Sequence, residues 1–346
     1  MADIVRPSSA FRRRASVLTL LALACGGLLS GCESLRYYGQ AIGGHLELMR
    51  SRVSIQEALA DPALPAEQAS RLRRLLEARR FASDVMKLPD NASYTSFAPR
   101  DDDAMTYNVV ATPAFSLQPR QWCFPIAGCV NYRGYFAQAD AQRKAREHQQ
   151  RGDDVVVTRA IAYSTLGWFD DPLPGPLIDG DMGRAAGLIF HELAHQQLYI
   201  KNDTPFNESY ATAVALLGLR QWQPALAASA RARFARQQQV YLLLQPTIKA
   251  LTTLYASDLP AAAMRDEKQR IFDDTRARYA AVASDLPGWE RYFAELNNAR
   301  IIGLSDYTRG VAAFELLFAQ CHGRWECFHA EARRIGESPE RRQALF

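Results

Sequence analysis

The stretch HELAHQQLYIKNDTPFNES, His191 to Ser209, sets two histidines four apart and a glutamate thirteen residues beyond the second. Helix positions four apart lie one above the other, about 6 Å along the axis, so His191 and His195 project from one face. Glu208 can join them only if the chain turns back within a few residues and a second helix runs antiparallel to the first. The pattern therefore commits the middle of the chain to a helix, a short loop and a helix. Asp179 or Asp181 is placed to cap the first helix, Pro205 ends the connection, Asn207 can cap the second helix, and Glu208 falls on its first turn.

This spacing has a chemical reading. Two imidazoles and a third protein ligand leave one position of a zinc ion open to water, whose pKa the metal lowers. Glu192, one residue round from His191, reaches that water and not the ion, as a general base does. An iron site of two histidines and a carboxylate is the rival, but it has no use for Glu192. One Zn2+ per chain is expected, on His191, His195 and Glu208.

The amino terminus reads as an export signal. FRRRASVLTLLALACGGLLSGC puts three arginines before a short apolar run ending in small residues, too short for a comfortable membrane span. Its end, Leu29-Ser30-Gly31-Cys32, resembles the bacterial lipobox, which makes residues 1–31 the signal peptide and Cys32 the acylated first residue of the mature chain. Several acyl chains on one residue anchor stably where one does not. With Glu33 following, the sorting pattern favours the periplasmic face of the outer membrane; the double arginine also permits twin-arginine export.

The formal charge of +4 comes mostly from this signal, which carries four arginines against one acid. The remainder is nearly balanced and shows no nucleic-acid footprint; RLRRLLEARR (Arg71–Arg80) has the spacing of a solvated helix face. Four cysteines remain after the signal and the lipid site, in two close pairs, Cys123 with Cys129 and Cys321 with Cys327. Local disulfides are the most economical pairing in an oxidising compartment, and neither spacing matches a zinc knuckle.

Along the mature chain, apolar residues recur at helical spacing over Leu35–Arg52 and Glu67–Lys87, which predicts a helical hairpin over 33–90. A sheet and active-site region follows over 105–222. It has strand texture from Met105 to Tyr135, a helix over Ala137–Gln150, and the best strand candidate in DDVVVTRAIAYSTLGWF. A helical region over 223–346 completes it, with breaks at Pro224, Pro260, Pro287 and Gly303. The expected fold class is α+β, mostly helical, as one zincin-like domain over 32–346 with a small antiparallel or mixed sheet and a helical carboxy-terminal half.

FNESYA resembles the ligand-bearing stretch of gluzincin metallopeptidases. More broadly, LSGC, YYGQAIGGHLELM, WCFPIAGCVNYRGYF, DVVVTRAIAYSTLGWFDDPL, IFHELAHQQLYIKNDTPFNESYAT and LNNARIIGLSDY resemble, in order, a family of bacterial lipoproteins labelled aminopeptidases. The resemblance implies a zincin-type metallopeptidase that hydrolyses peptides, with Glu192 as base. Two features depart from the better-known gluzincins: Thr212 stands where thermolysin-like enzymes have an acid that orients the first histidine, and a GxMEN-type amine-recognition motif is missing. Exopeptidase and endopeptidase action therefore both stay open, as does a non-hydrolytic, metal-containing envelope lipoprotein whose helical half binds a partner.

Other residues have two readings each. Tyr163, Ser164, Thr165 and Gly167 form either an edge strand that pairs with an extended substrate or part of the core. Asp170 and Asp171 either bind a substrate ammonium or serve the turn before Pro172. Tyr307 and Tyr199 are the candidates to stabilise an oxyanion, or pack. Asn297, Asn298 and Arg300 either line a cleft or cap a helix.

Overall fold

The computed structural model describes residues 35–99, 104–124, 128–161, 164–305 and 310–345. Cys32, Tyr163 and Tyr307 lie outside them. The chain divides into two compact units, Met1–Arg50 and Ser51–Phe346, and the class is α+β, predominantly helical with small sheets. In the first unit the described part is a helix, α1, residues 35–51, which ends at the division.

The predicted hairpin over 33–90 is replaced by a more broken path. Strand β1 (Val53–Ser54) and helix α2 (Ile55–Ala60) stand between α1 and α3 (Ala66–Asp84), and the division leaves α1 and α3 in different units. Val53 pairs with Phe97 of β2 (Ser96–Ala98), so a β-branched residue that continues a helical period is drawn into a ladder. Strand β3 (Thr106–Thr112) follows, then β4 (Trp122–Phe124), β5 (Gly128–Val130), β6 (Arg133–Tyr135), α4 (Gln138–Gln150), β7 (Asp154–Ala160), β8 (Leu173–Pro174) and α5 (Gly175–Asp179).

These strands make three small sheets, in the orders β1-β2-β8, β6-β3-β7 and β4-β5. The β6-β3-β7 sheet is antiparallel throughout, with Val109 opposite Val157 and Val110 opposite Val156. In the β4-β5 hairpin Cys123 faces Cys129, and their sulfurs are 1.95 Å apart, within disulfide distance. Cys321 and Cys327 stand at 2.10 Å.

The rest is helical: α6 (Met182–Gln197), α7 (Thr204–Trp222), α8 (Pro224–Tyr255), α9 (Ala261–Ala280), α10 (Glu290–Ala294), α11 (Asn298–Ser305), α12 (Val311–Gln320), α13 (Trp325–Glu337) and α14 (Pro339–Leu345). The expected break at Gly303 is absent, since Gly303 sits inside α11, where one glycine costs only about 1 kcal/mol. Two apolar cores result. The larger gathers Ile189, Phe190 and Leu193 of α6 with Tyr210, Val214 and Leu217 of α7 and Phe314 and Phe328 beyond them; the smaller holds Val240, Leu244, Phe272, Phe293 and Ile301. Helix α8 spans both, placing Phe234 in the first and Val240 onward in the second. Each such side chain contributes about 1.5–3 kcal/mol on burial.

Gly218 sets the distance between α6 and α7. A Cβ there would come within 2.4 Å of Met86 Cε and 2.9 Å of Phe190 Cδ2, so the missing side chain is what admits Phe190, the residue before His191, into the helix interface.

Candidate metal centre

Helix α6 starts at Asp181, whose carboxylate accepts from Arg184 N at 3.1 Å. Of the two predicted caps, Asp181 fills the role. Helix α7 is capped by Asp203, which accepts from Phe206 N, and Pro205 lies in the first turn, where a missing N–H costs nothing. Asn207 is therefore not the cap. Its Oδ1 accepts from Ile200 N and its Nδ2 donates to Ile200 O, both at 2.8 Å. This double clamp, 1 % exposed, fixes the connection from Leu198 to Asp203 and so the placement of the next residue, Glu208.

The three predicted ligands come together. His191 Nε2 lies 3.1 Å from His195 Nε2 and 3.2 Å from Glu208 Oε2, and His195 Nε2 lies 3.7 Å from that oxygen. A tetrahedral ion with bonds near 2.05 Å separates its ligand atoms by about 3.3 Å, so the triangle has the right size for one. Among the described residues this is the group of three that could hold a metal ion. Glu208 Oε2 and His195 Nδ1 are buried and make no hydrogen bond; an ion would satisfy the first. Burial pushes the Glu208 carboxyl up, but the two imidazoles outweigh it and hold the group far below its ordinary range. Burial pulls the His195 imidazole down, and Glu208 and Glu192 more than offset that.

Glu192 is buried beside this triangle. It makes no hydrogen bond among the described residues, and its charge is felt by His195, Tyr94 and Asp171. Tyr199, expected on the face of the ligand helix, sits past the end of α6, with its ring 6.4 Å from that of His195. Burial and the Glu208 charge push its phenol up to about 12, so it stays a hydrogen-bond donor across the neutral range.

Two loops meet α6 at Gln196, four residues beyond Glu192. In the first, residues 88–95, Arg79 is a buried strap: it donates to Ser93 O at 2.8 Å, to Pro89 O at 3.0 Å and to Asn91 O at 2.6 Å. Asn91 Nδ2 in turn donates to Gln196 Oε1 at 2.7 Å, beside His195. This corrects the reading of Arg71–Arg80 as a solvated face. Arg79 is 3 % exposed, Arg71 donates to Ile178 O, and Arg74 to Gln223 Oε1. The strap holds Tyr94 in a left-handed backbone conformation, φ 64°, with its side chain fully buried.

The second loop, 164–171, is a turn, in a stretch for which an edge strand is one of the two sequence readings. Leu166 and Gly167 have φ 55° and 83°, and β7 ends at Ala160, so Ser164, Thr165 and Gly167 offer no strand ladder. Asp171 organises the turn. Its Oδ2 accepts from Thr165 N at 2.8 Å and Thr165 Oγ1 at 3.1 Å, and its carbonyl accepts from Tyr94 N at 2.7 Å, tying the two loops together. Asn297 and Asn298 are structural: Asn297 Oδ1 accepts from Arg300 N at the start of α11, while Asn298 Nδ2 donates to the carbonyls of Ala114 and Ser116.

A family model described as "Putative aminopeptidase" matches residues 36–345. The chain belongs to that family. Its description as a family of peptidases suggests a hydrolase, and α6 and α7 are the two helices that supply the His191, His195 and Glu208 group that could hold a metal ion. Comparison with curated proteins and with solved structures gave no match. Among the described residues no helix of this aminopeptidase-family chain is long and apolar enough to cross a membrane.

Proposed function

We propose that the protein is a zinc-dependent peptidase of the zincin type, anchored to the periplasmic face of the outer membrane through lipid on Cys32. The observation that carries the chemistry is the convergence of His191 Nε2, His195 Nε2 and Glu208 Oε2 within 3.1–3.7 Å with Glu192 buried beside them. The donor set, two imidazoles and a carboxylate, suits zinc. Zinc held there would supply a Lewis acid that lowers the pKa of water and polarises a peptide carbonyl.

The chain's own residues do the rest. Glu192, with no competing hydrogen bond among the described residues, accepts the proton of the attacking water and returns it to the leaving amine. Tyr199, kept protonated, is placed to donate to the oxygen that becomes negative as the carbonyl carbon turns tetrahedral; Tyr307 stays a second candidate. Export is supported by the two cysteine pairs at disulfide distance, which belong to an oxidising compartment.

Glu192→Gln tests the reading. The variant should keep about one zinc per chain and lose hydrolysis of a peptide library by about 10²–10⁴-fold. A wild type that cleaves no peptide, blocked or free, ends the peptidase assignment and leaves a metal-binding envelope protein.

A further inference from the structure

Among the described residues ten large hydrophobic side chains are exposed, and four of them, Leu35, Tyr38, Ile42 and Leu46, fall on α1. The other six are a neighbouring pair, Trp168 and Phe169, and four single residues in separate parts of the chain, which a protein surface tolerates without a partner. The four on α1 differ because they line up. At 100° per residue they lie within an arc of about 80°, and at 1.5 Å per residue they run for about 16 Å along the helix. Gly39 and Gly43 border this stripe, and a Cβ on either would meet nothing within 4 Å, so no other part of the described chain packs against them. Arg36, Arg50 and Glu47 are exposed along the same edge, while Leu48, off the arc, is 1 % exposed. The helix thus has one packed side and one open apolar stripe with charges beside it.

We propose that this stripe lies on the lipid bilayer, which makes α1 an interfacial helix that seats the chain on the membrane surface. This rests on one part of the function proposed above, the acyl anchor at Cys32, and not on the hydrolytic chemistry. Leu35 is three residues from Cys32, and a chain reaches at most about 3.6 Å per residue, so by any path the first turn of α1 lies within about 11 Å of the acylated residue. A helix tethered that close to lipid lowers its free energy by burying its open apolar face there. It lies on the bilayer and does not cross it. Its 17 residues extend about 25 Å, short of the roughly 30 Å hydrocarbon core, and Arg36, Glu47 and Arg50 are costly inside that core. Lying flat, it carries Leu35, Ile42 and Leu46 about 5–10 Å into the headgroup boundary. Tyr38 sits at the level that suits an aromatic ring with a polar tip, and Arg36 and Arg50 extend along the edge toward anionic phosphates. A second copy of the chain is the rival occupant, but four side chains in a row offer far less than the about 800 Å² per partner of a stable interface.

The test uses full-length protein made with its own leader, extracted in detergent and reconstituted into vesicles of phosphatidylethanolamine and phosphatidylglycerol. Ile42→Cys and Leu46→Cys each carry a nitroxide label, Leu316→Cys, at an exposed position on α12, carries it as the reference in water, and mass spectrometry reads the acyl state of Cys32. Power saturation compares access of oxygen, which concentrates in lipid, with access of a water-soluble nickel chelate. At 42 and 46 the ratio of oxygen to nickel access should exceed that at 316 by about 5-fold or more, as for side chains about 5–10 Å below the headgroups. Either stripe position suffices if the other variant fails to fold. Ratios equal to that at 316 overturn the proposal: the acyl chains hold the protein while α1 stands in water. Shielding from both reagents overturns it too, label-to-label distances under about 20 Å between copies then marking a second copy as the occupant, and their absence marking cover by the chain itself. If Cys32 carries no acyl chain, the anchor fails separately, and flotation of the chain with the same vesicles decides the stripe. Binding that the double substitution Ile42→Asp and Leu46→Asp weakens at least about 10-fold supports it; binding that the substitutions leave unchanged, or no binding, overturns it. Hydrolysis is not measured, so the result stands apart from the peptidase function.

Discussion

Helix α7 carries two polar clusters within one turn, and they differ in every respect that matters. At Glu208 the helix meets His191 and His195, and buried atoms are left without hydrogen bonds. Two residues on, Tyr210 donates to His329 Nδ1 at 2.7 Å, and His329 Nε2 donates to Met86 O at 2.8 Å. Both ring nitrogens of His329 are used, and burial pulls its imidazole below the ordinary value, so it is neutral. Burial alone thus makes a histidine a satisfied core residue. What marks the candidate metal site is a buried carboxylate oxygen without a hydrogen bond, held 3.2–3.7 Å from two imidazole nitrogens, the kind of unsatisfied buried group that calls for an explanation.

Substitutions should separate the two clusters, beginning with the largest effect. His195→Ala should lower bound zinc from about one per chain to under about a tenth and abolish hydrolysis, because the one imidazole and one carboxylate that remain no longer close the site; metal analysis of the purified protein decides it, and unchanged zinc means the coordination is wrong. Gly218→Val should destabilise the fold by about 1–3 kcal/mol, the usual cost of overpacking, and disturb zinc binding through Phe190; a denaturant midpoint equal to wild type would show that the helix interface is slacker than the contacts imply. Tyr210→Phe leaves His329 Nδ1 buried and unpaired, and should cost about 1–3 kcal/mol while zinc content stays at wild-type level. Loss of zinc in that variant would join the clusters that the hydrogen bonds keep apart.

The smallest effect is in the pH dependence. His329 is lowered when folded, so below about 6.5 the unfolded chain binds a proton that the native chain does not, and stability falls with falling pH. Asp171 is raised to about 6 from 3.8, so between those values the native chain binds the extra proton and stability falls with rising pH. The two oppose each other. Urea unfolding at pH 7 and 5 should show a steeper acid loss in Asp171→Asn than in wild type; parallel slopes would mean that Asp171 titrates normally.

The part of the site that follows from helical period is legible in the sequence. His191, His195 and Glu208 are fixed by 3.6 residues per turn and a short loop, and the structure brings them together as that arithmetic requires. The long helices from Pro224 onward are legible for the same reason. Tyr94 is not, because DNASYTSF has neither period nor motif. Its place depends on Arg79, whose own position in an amphipathic pattern looks like solvent exposure until the 88–95 loop folds over it. Asn207 suits a cap by its residue type; its actual role, clamping Ile200, depends on where the loop returns. The turn at Thr165 is hidden because β-branched and aromatic residues continue past the point where Leu166 and Gly167 reverse the chain.

The clamped connection from Leu198 to Asp203 also makes this part of the chain one in which residues are counted. Each residue turns a helix by about 100°. One residue inserted between Asp203 and Glu208 would therefore swing the carboxylate off the face shared by the imidazoles, however well the rest of the fold survived. The same insertion ahead of Asp203 would leave the phase of α7 intact but break the Asn207 grip on Ile200. Length variation along this chain can therefore accumulate in the surface turns between the later helices, while the twelve residues separating His195 from Glu208 behave as a fixed spacer.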